Sequence, residues 1–164
     1  MASLAAHRVH AVISTLIDGL TVGAAEAALD LPPRSAARLR VYLAMMAAVA
    51  ADTVAHDLPA LRSAFQGMPS EGTSPADRAV NRHQALATTA WGVAAMAAHG
   101  PVVRALRRRG HRRPHLLVGV VAGVGAAATT LPVRWRHATE LAIEDMATAQ
   151  LDAELAQLLD QPID

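Results

Sequence analysis

From Pro114 to Val133 the chain carries no Asp, Glu, Lys or Arg over 20 consecutive residues. A helix of that length rises about 30 Å, the thickness of a bilayer's hydrocarbon core. Such a run is either the buried helix of a soluble bundle or a helix solvated by lipid tails, and its flanks favour lipid. Arg112 and Arg113 precede it, Arg134 and Arg136 follow it, and Trp135 stands at one edge, where an amphipathic ring prefers the headgroup boundary.

The rest of the sequence reads as all-α. Alanine supplies 38 of the 164 residues, β-branched residues are scattered and period-two alternation is missing, which excludes a β-rich fold. High apolar content with a net charge of +1 excludes disorder. The only aromatic residues are Tyr42, Phe65, Trp91 and Trp135, so a core of this chain is thin, built mostly from methyl groups. Absence of cysteine excludes disulfides, thiolate metal sites and cysteine nucleophiles.

Apolar stretches run from about Val9 to Leu29, Leu39 to Leu58, Arg82 to Leu106 and His115 to Val133. Pro32-Pro33 ends the first, Ser35 is positioned to cap the second and Pro59 to stop it, and Gly100-Pro101 predicts a kink or break in the third. Gly67, Pro69, Gly72 and Pro75 mark the segment from about Leu61 to Asn81 as a loop with a short helical turn. Asp18 and Glu26 inside the first stretch argue against a signal peptide. The last segment, Thr139 to Leu159, is acidic and lacks arginine, and Leu151, Leu155, Leu158 and Leu159 fall on one helical face. The expected architecture is a four-helix bundle over residues 1–138, membrane-spanning, with an additional acidic amphipathic C-terminal helix and tail over residues 139–164.

Charge placement supplies a topology. Arg34, Arg38 and Arg40 lie between the first two stretches, and Arg104, Arg107, Arg108, Arg109, Arg112 and Arg113 around the join of the last two. If all four stretches span, both basic connections fall on one face, which the positive-inside rule makes cytoplasmic. Gly19 and Gly23 in the first stretch, and Gly119 and Gly123 in the fourth, are GxxxG pairs that let helix backbones approach closely in lipid. Against this stand Asp18 near the centre of the first stretch and Asp52 in the second, each costing roughly 2.5–3.5 kcal/mol at a bilayer centre.

Those same acids are the candidates for chemistry. Asp18, Asp52 and His56 are the candidate catalytic residues, Asp52 and His56 being an i, i+4 pair. His7, His10, Asp52, His56 and His83 form a weak candidate set for zinc, iron or copper, with His137 at similar depth. Buried polar pairing or plain helix-end positions explain the same residues without a ligand. His83 and His99 share a stretch and His115 sits at the edge of the next, a poor pattern for haem. The arginine run lacks interleaved aromatics, so nucleic acid is disfavoured against lipid headgroups. No cofactor is specified. The expected function is a small multi-pass protein of the cell membrane, self-associating or a subunit of a membrane assembly, with membrane lipid and itself or another membrane subunit as partners. The alternatives are a membrane-embedded enzyme or transporter using the Asp/His cluster, and a soluble, cytoplasmic all-α binding or regulatory bundle.

Overall fold

The computed structural model describes residues 3–65 and 74–159, without the side chains at 56, 57 and 59–64. The described chain is helical: α1 (Leu4–Ala27) with a 3-10 turn (Ala28–Asp30), α2 (Ala36–Phe65), α3 (Pro75–Arg108) and α4 (Pro114–Leu159). Three of the four starts have a local cause. Ser3 Oγ accepts from the Ala6 N–H at 3.2 Å, and Ser35 Oγ from the Arg38 N–H at 3.2 Å. At α3, Ser74 Oγ accepts from the Asp77 N–H at 3.0 Å while Asp77 Oδ2 accepts from the Ser74 N–H at 3.1 Å, a reciprocal capping box with Pro75 at the first helical position. Arg34 (φ 59°) and Gly110 (φ 81°) take the left-handed turns that let the chain reverse after α1 and after α3.

The stop expected at Pro59 is corrected, and of the kink or break expected at Pro101 the break does not occur. α2 continues past position 59 to Phe65, and α3 and α4 run through Pro101 and Pro132. An internal proline removes one hydrogen bond and costs about 3 kcal/mol, but helix resumes where long segments on both sides hold their own ladders. The expected loop therefore shrinks at both ends, and Gly67, Pro69 and Gly72 lie outside the described residues. The acidic segment is no additional helix either: it is the second half of α4, a single helix of 46 residues. No glycine or proline follows Pro132 before Leu159, and a change from basic to acidic side chains does not break a backbone ladder.

α1 and α4 are antiparallel and in close contact. A Cβ placed on Gly123 would stand 2.5 Å from the Gly19 carbonyl oxygen. At Gly23 it would meet the Gly119 oxygen at 2.9 Å. Only glycine permits this approach, so all four GxxxG glycines lie in one crossing. α3 packs antiparallel on another side of α4, with Trp91 covering Gly125, whose added Cβ would fall 2.4 Å from the indole ring. α2 packs on α1 and the 3-10 turn alone among the described elements.

The polarity of this bundle is inverted. Its buried apolar residues are alanines together with Val103 and Val118, while Ser14, Thr15, Asp18, Glu26, His115 and Thr130 are buried among them. Most of the described leucines, methionines and valines are exposed. Among the described residues, two helices, Leu4–Asp30 and Pro114–Leu159, are long and apolar enough to cross a membrane. Asp30 Oδ2 accepts from the Leu116 N–H at 2.9 Å, which brings the α1–α2 connection beside the start of α4. Both arginine-rich connections thus lie at one end of the bundle.

Candidate functional site

At the opposite end, residues of all four helices line a cavity of about 280 Å³. α1 contributes His7, His10 and Ser14 to its wall, α2 contributes Asp52, α3 contributes Asp77 and Gln84, and α4 contributes Arg134 and His137. Four of these eight side chains pair with one another, and His7 reaches beyond the wall to Asp145. His7 Nε2 lies 3.2 Å from Asp145 Oδ2, Ser14 Oγ donates to Asp52 Oδ1 at 2.6 Å, and His137 Nε2 donates to Asp77 Oδ1 at 2.7 Å. Two polar atoms on the wall residues, His137 Nδ1 and Arg134 Nε, are buried without a hydrogen-bond partner. Glu140 Oε2, at 3.7 Å from His137 Nδ1, is too far for a hydrogen bond. Arg8 sits over the Trp135 ring at 4.8 Å, tying α1 to α4 at this end.

Asp77 lies in the polar first turn of α3, ahead of its apolar stretch. Burial pushes its carboxyl up, but hydrogen bonds from Ser74 and His137 outweigh burial and hold it below the ordinary carboxylate value. A depressed carboxylate stabilises the fold at every pH above its unfolded value, near 3.9, and loses that contribution as pH falls through the folded value. The α3 cap therefore persists across the neutral range and releases only in strong acid. Ser74→Ala is expected to cost about 1 kcal/mol and to raise the Asp77 pKa. Denaturant unfolding at pH 7, with carboxyl titration by NMR, checks both.

Below the cavity Asp18 closes a buried ion pair. Arg134 Nη2 donates to Asp18 Oδ2 at 3.0 Å and Gln84 Nε2 donates to Asp18 Oδ1 at 2.7 Å. Both carboxylate oxygens are engaged, so Asp18 links α1, α3 and α4. At the far, basic end, Glu26 Oε1 receives two imidazoles: His115 Nδ1 at 2.9 Å and His99 Nδ1 at 3.2 Å.

The sequence-derived candidates separate accordingly. Asp52, His7 and His10 share the cavity wall. Asp18 sits beside it in an ion pair. His83 donates from Nε2 to the Thr129 carbonyl at 3.2 Å and is not part of the wall. The His56 side chain lies outside the described residues. Gln84 and Arg134 escaped the sequence reading as site residues because they become neighbours only when α3 and α4 pack. The Glu26–His99–His115 group escaped for the same reason: its members are separated by 73 and 89 residues from Glu26, and no short spacing joins them. Compared with known protein families, with curated proteins and with solved structures, the chain matches none.

Proposed function

We propose that this chain is a small integral membrane protein whose four helices cross the bilayer, acting as a self-associating component or subunit of a membrane assembly. The inverted polarity carries the reading. Leu20, Val121 and Met96 are 68%, 66% and 74% exposed, while Asp18, Glu26 and His115 are 8%, 8% and 4% exposed. In water each large apolar side chain left outside forgoes about 1.5–3 kcal/mol. In lipid those side chains are already solvated, and small residues with internal polar pairs hold the helices together instead. Asp52, bonded to Ser14, and Asp18, bonded to Arg134 and Gln84, enter the bundle paired and face inward.

The two arginine-rich connections at one end support a cytoplasmic face there, with the polar cavity and the acidic half of α4 toward the outside. The subunit role draws on the C-terminal part of α4, where Leu151, Leu155 and Leu158 are 60%, 56% and 64% exposed among the described residues, along one face.

The absence of cysteine allows a clean test. The chain is expected to pellet with membranes and resist carbonate extraction. Single cysteines at Ala37 and His111 are expected to react with an impermeant maleimide only after permeabilisation, and those at Ala79 and Gln157 in intact cells. Recovery of the chain in the detergent-free soluble fraction overturns the membrane reading, and a different labelling pattern overturns the four-span topology. Mass in mild detergent above that of one chain is expected; a clean monomer removes the self-association.

A second reading, a membrane-embedded enzyme or transporter, is favoured by one observation: His7, His10, Asp52 and His137 line one polar cavity, a suitable place for a small polar ligand. Asp52→Asn preserves the acceptor for Ser14 and removes the charge. It is expected to leave folding intact and abolish activity in a growth or transport assay; wild-type behaviour there excludes this reading.

A further inference from the structure

We infer that Glu26, His99 and His115 form a binding site for a divalent first-row transition metal ion, of the zinc class. The donors come from three helices: Glu26 near the end of α1, His99 in α3, and His115 in the first turn of α4. Their ligand atoms all lie within 4.8 Å of one another. Two edges of this triangle, Nδ1 of His115 and Nδ1 of His99 to Glu26 Oε1, measure 2.9 and 3.2 Å. Zinc bound tetrahedrally at 2.0–2.1 Å holds its ligands about 3.3–3.4 Å apart. Insertion therefore requires movements of only a few tenths of an ångström along these two edges.

The chemistry of the donors agrees. Without metal, the carboxylate oxygen accepts from both Nδ1–H groups. Shifting each ring proton to Nε2 turns both Nδ1 lone pairs toward the region that the carboxylate oxygen faces, which is the arrangement an ion needs. The imidazole rings stand 4.4 Å apart and tilted by 44°, so they converge without stacking flat. Two imidazoles and one carboxylate suit zinc or ferrous iron, and three protein ligands leave one tetrahedral position for water or substrate.

Burial makes the site selective and its edge makes it reachable. The side chains of Glu26 and His115 are 9% and 5% exposed, whereas that of His99 is 42% exposed. His99 and Glu26 both line an open groove between α1 and α3, with Val22 and Met96 on its walls. Glu26 and, one helical turn on, Asp30 supply the negative charge that a dication needs at an end otherwise rich in arginine. The group is separate from the His7, His10 and Asp52 cavity at the opposite end, and it does not depend on lipid surrounding the chain.

The test uses the full chain purified in mild detergent and stripped with chelator. Titration with Zn²⁺ is expected to give one tight equivalent by calorimetry and by elemental analysis after desalting. Co²⁺ is expected to produce the visible ligand-field bands of a four-coordinate N/O site. Removing an outer-shell partner already costs roughly 10–100-fold in metal affinity, so His99→Gln and Glu26→Gln are expected to weaken binding by at least 100-fold. His99→Gln is the decisive variant because its exposed side chain is the least needed for folding, with far-UV circular dichroism as the check. His7→Gln and His137→Gln, at the other cavity, are expected to retain the site. Absence of a Zn²⁺ equivalent in the wild-type chain overturns the inference. So do retention of binding in folded His99→Gln and transfer of the loss to His7→Gln or His137→Gln.

Discussion

Gly119→Val and Gly123→Val are each expected to force α1 away from α4. At Gly119 an added Cβ would stand 2.4 Å from the Gly23 carbonyl oxygen, and at Gly123 2.5 Å from that of Gly19. Both obstacles are backbone atoms, which cannot rotate aside as a side chain can. Overpacking in a tight core costs about 1–3 kcal/mol, and this site belongs at the top of that range. The separation would also loosen the Asp18–Arg134 pair and the contact of Arg8 with Trp135, since both bridge the same two helices. Unfolding by SDS, followed through tryptophan fluorescence and circular dichroism, is expected to shift to lower denaturant. Gly92→Ala is the contrast. An added Cβ there meets nothing within 4 Å, so replacing an interior helical glycine is expected to be neutral or to stabilise by up to about 1 kcal/mol. Equal tolerance at Gly92 and Gly123 would contradict the close crossing.

The glycine faces were legible before any coordinates, because a spacing of four residues puts two glycines on one helix face regardless of what the face meets; that the two faces meet each other was not. The all-helical class followed from composition, and the Ser35 cap from a side chain acting on backbone three residues away. What failed was punctuation. Proline was read as a stop at position 59 and as a kink or break at 101, but a helix tolerates the loss of one bond when its flanks are long. The interior failed for a different reason. Ser14 meets Asp52, and Gln84 meets Asp18, only through packing of helices distant in sequence. Single-helix spacing offered Asp52 and His56 as a pair; Asp52 accepts from Ser14 on α1, and the His56 side chain lies outside the described residues.

Asp18→Asn is the second large effect. Arg134 and Asp18 have side chains 13% and 9% exposed, so the variant leaves a guanidinium in the interior without its counter-charge. Breaking a buried pair from one side costs about 3–5 kcal/mol. The informative comparison is the double variant Asp18→Leu/Arg134→Leu. Replacing both charges by apolar groups is often neutral or stabilising, because both desolvation penalties vanish with the attraction. The double variant is therefore expected to be more stable than Asp18→Asn or Arg134→Leu alone, a strongly non-additive cycle. Single substitutions costing under about 1 kcal/mol would place the pair in a far more hydrated setting.

The continuity of α4 has a mechanical consequence. At 46 residues it is a rod roughly 69 Å long, more than twice the thickness of a hydrocarbon layer. Beyond Asp145, which His7 of α1 meets, the exposed residues 150–159 carry Leu151 and Leu155. Force applied there travels along the ladder until it reaches Pro132, where one bond is missing and bending is cheapest. Pro132 lies two residues before Arg134, so a tug on those residues would be felt first as a swing of the guanidinium clasped by Asp18.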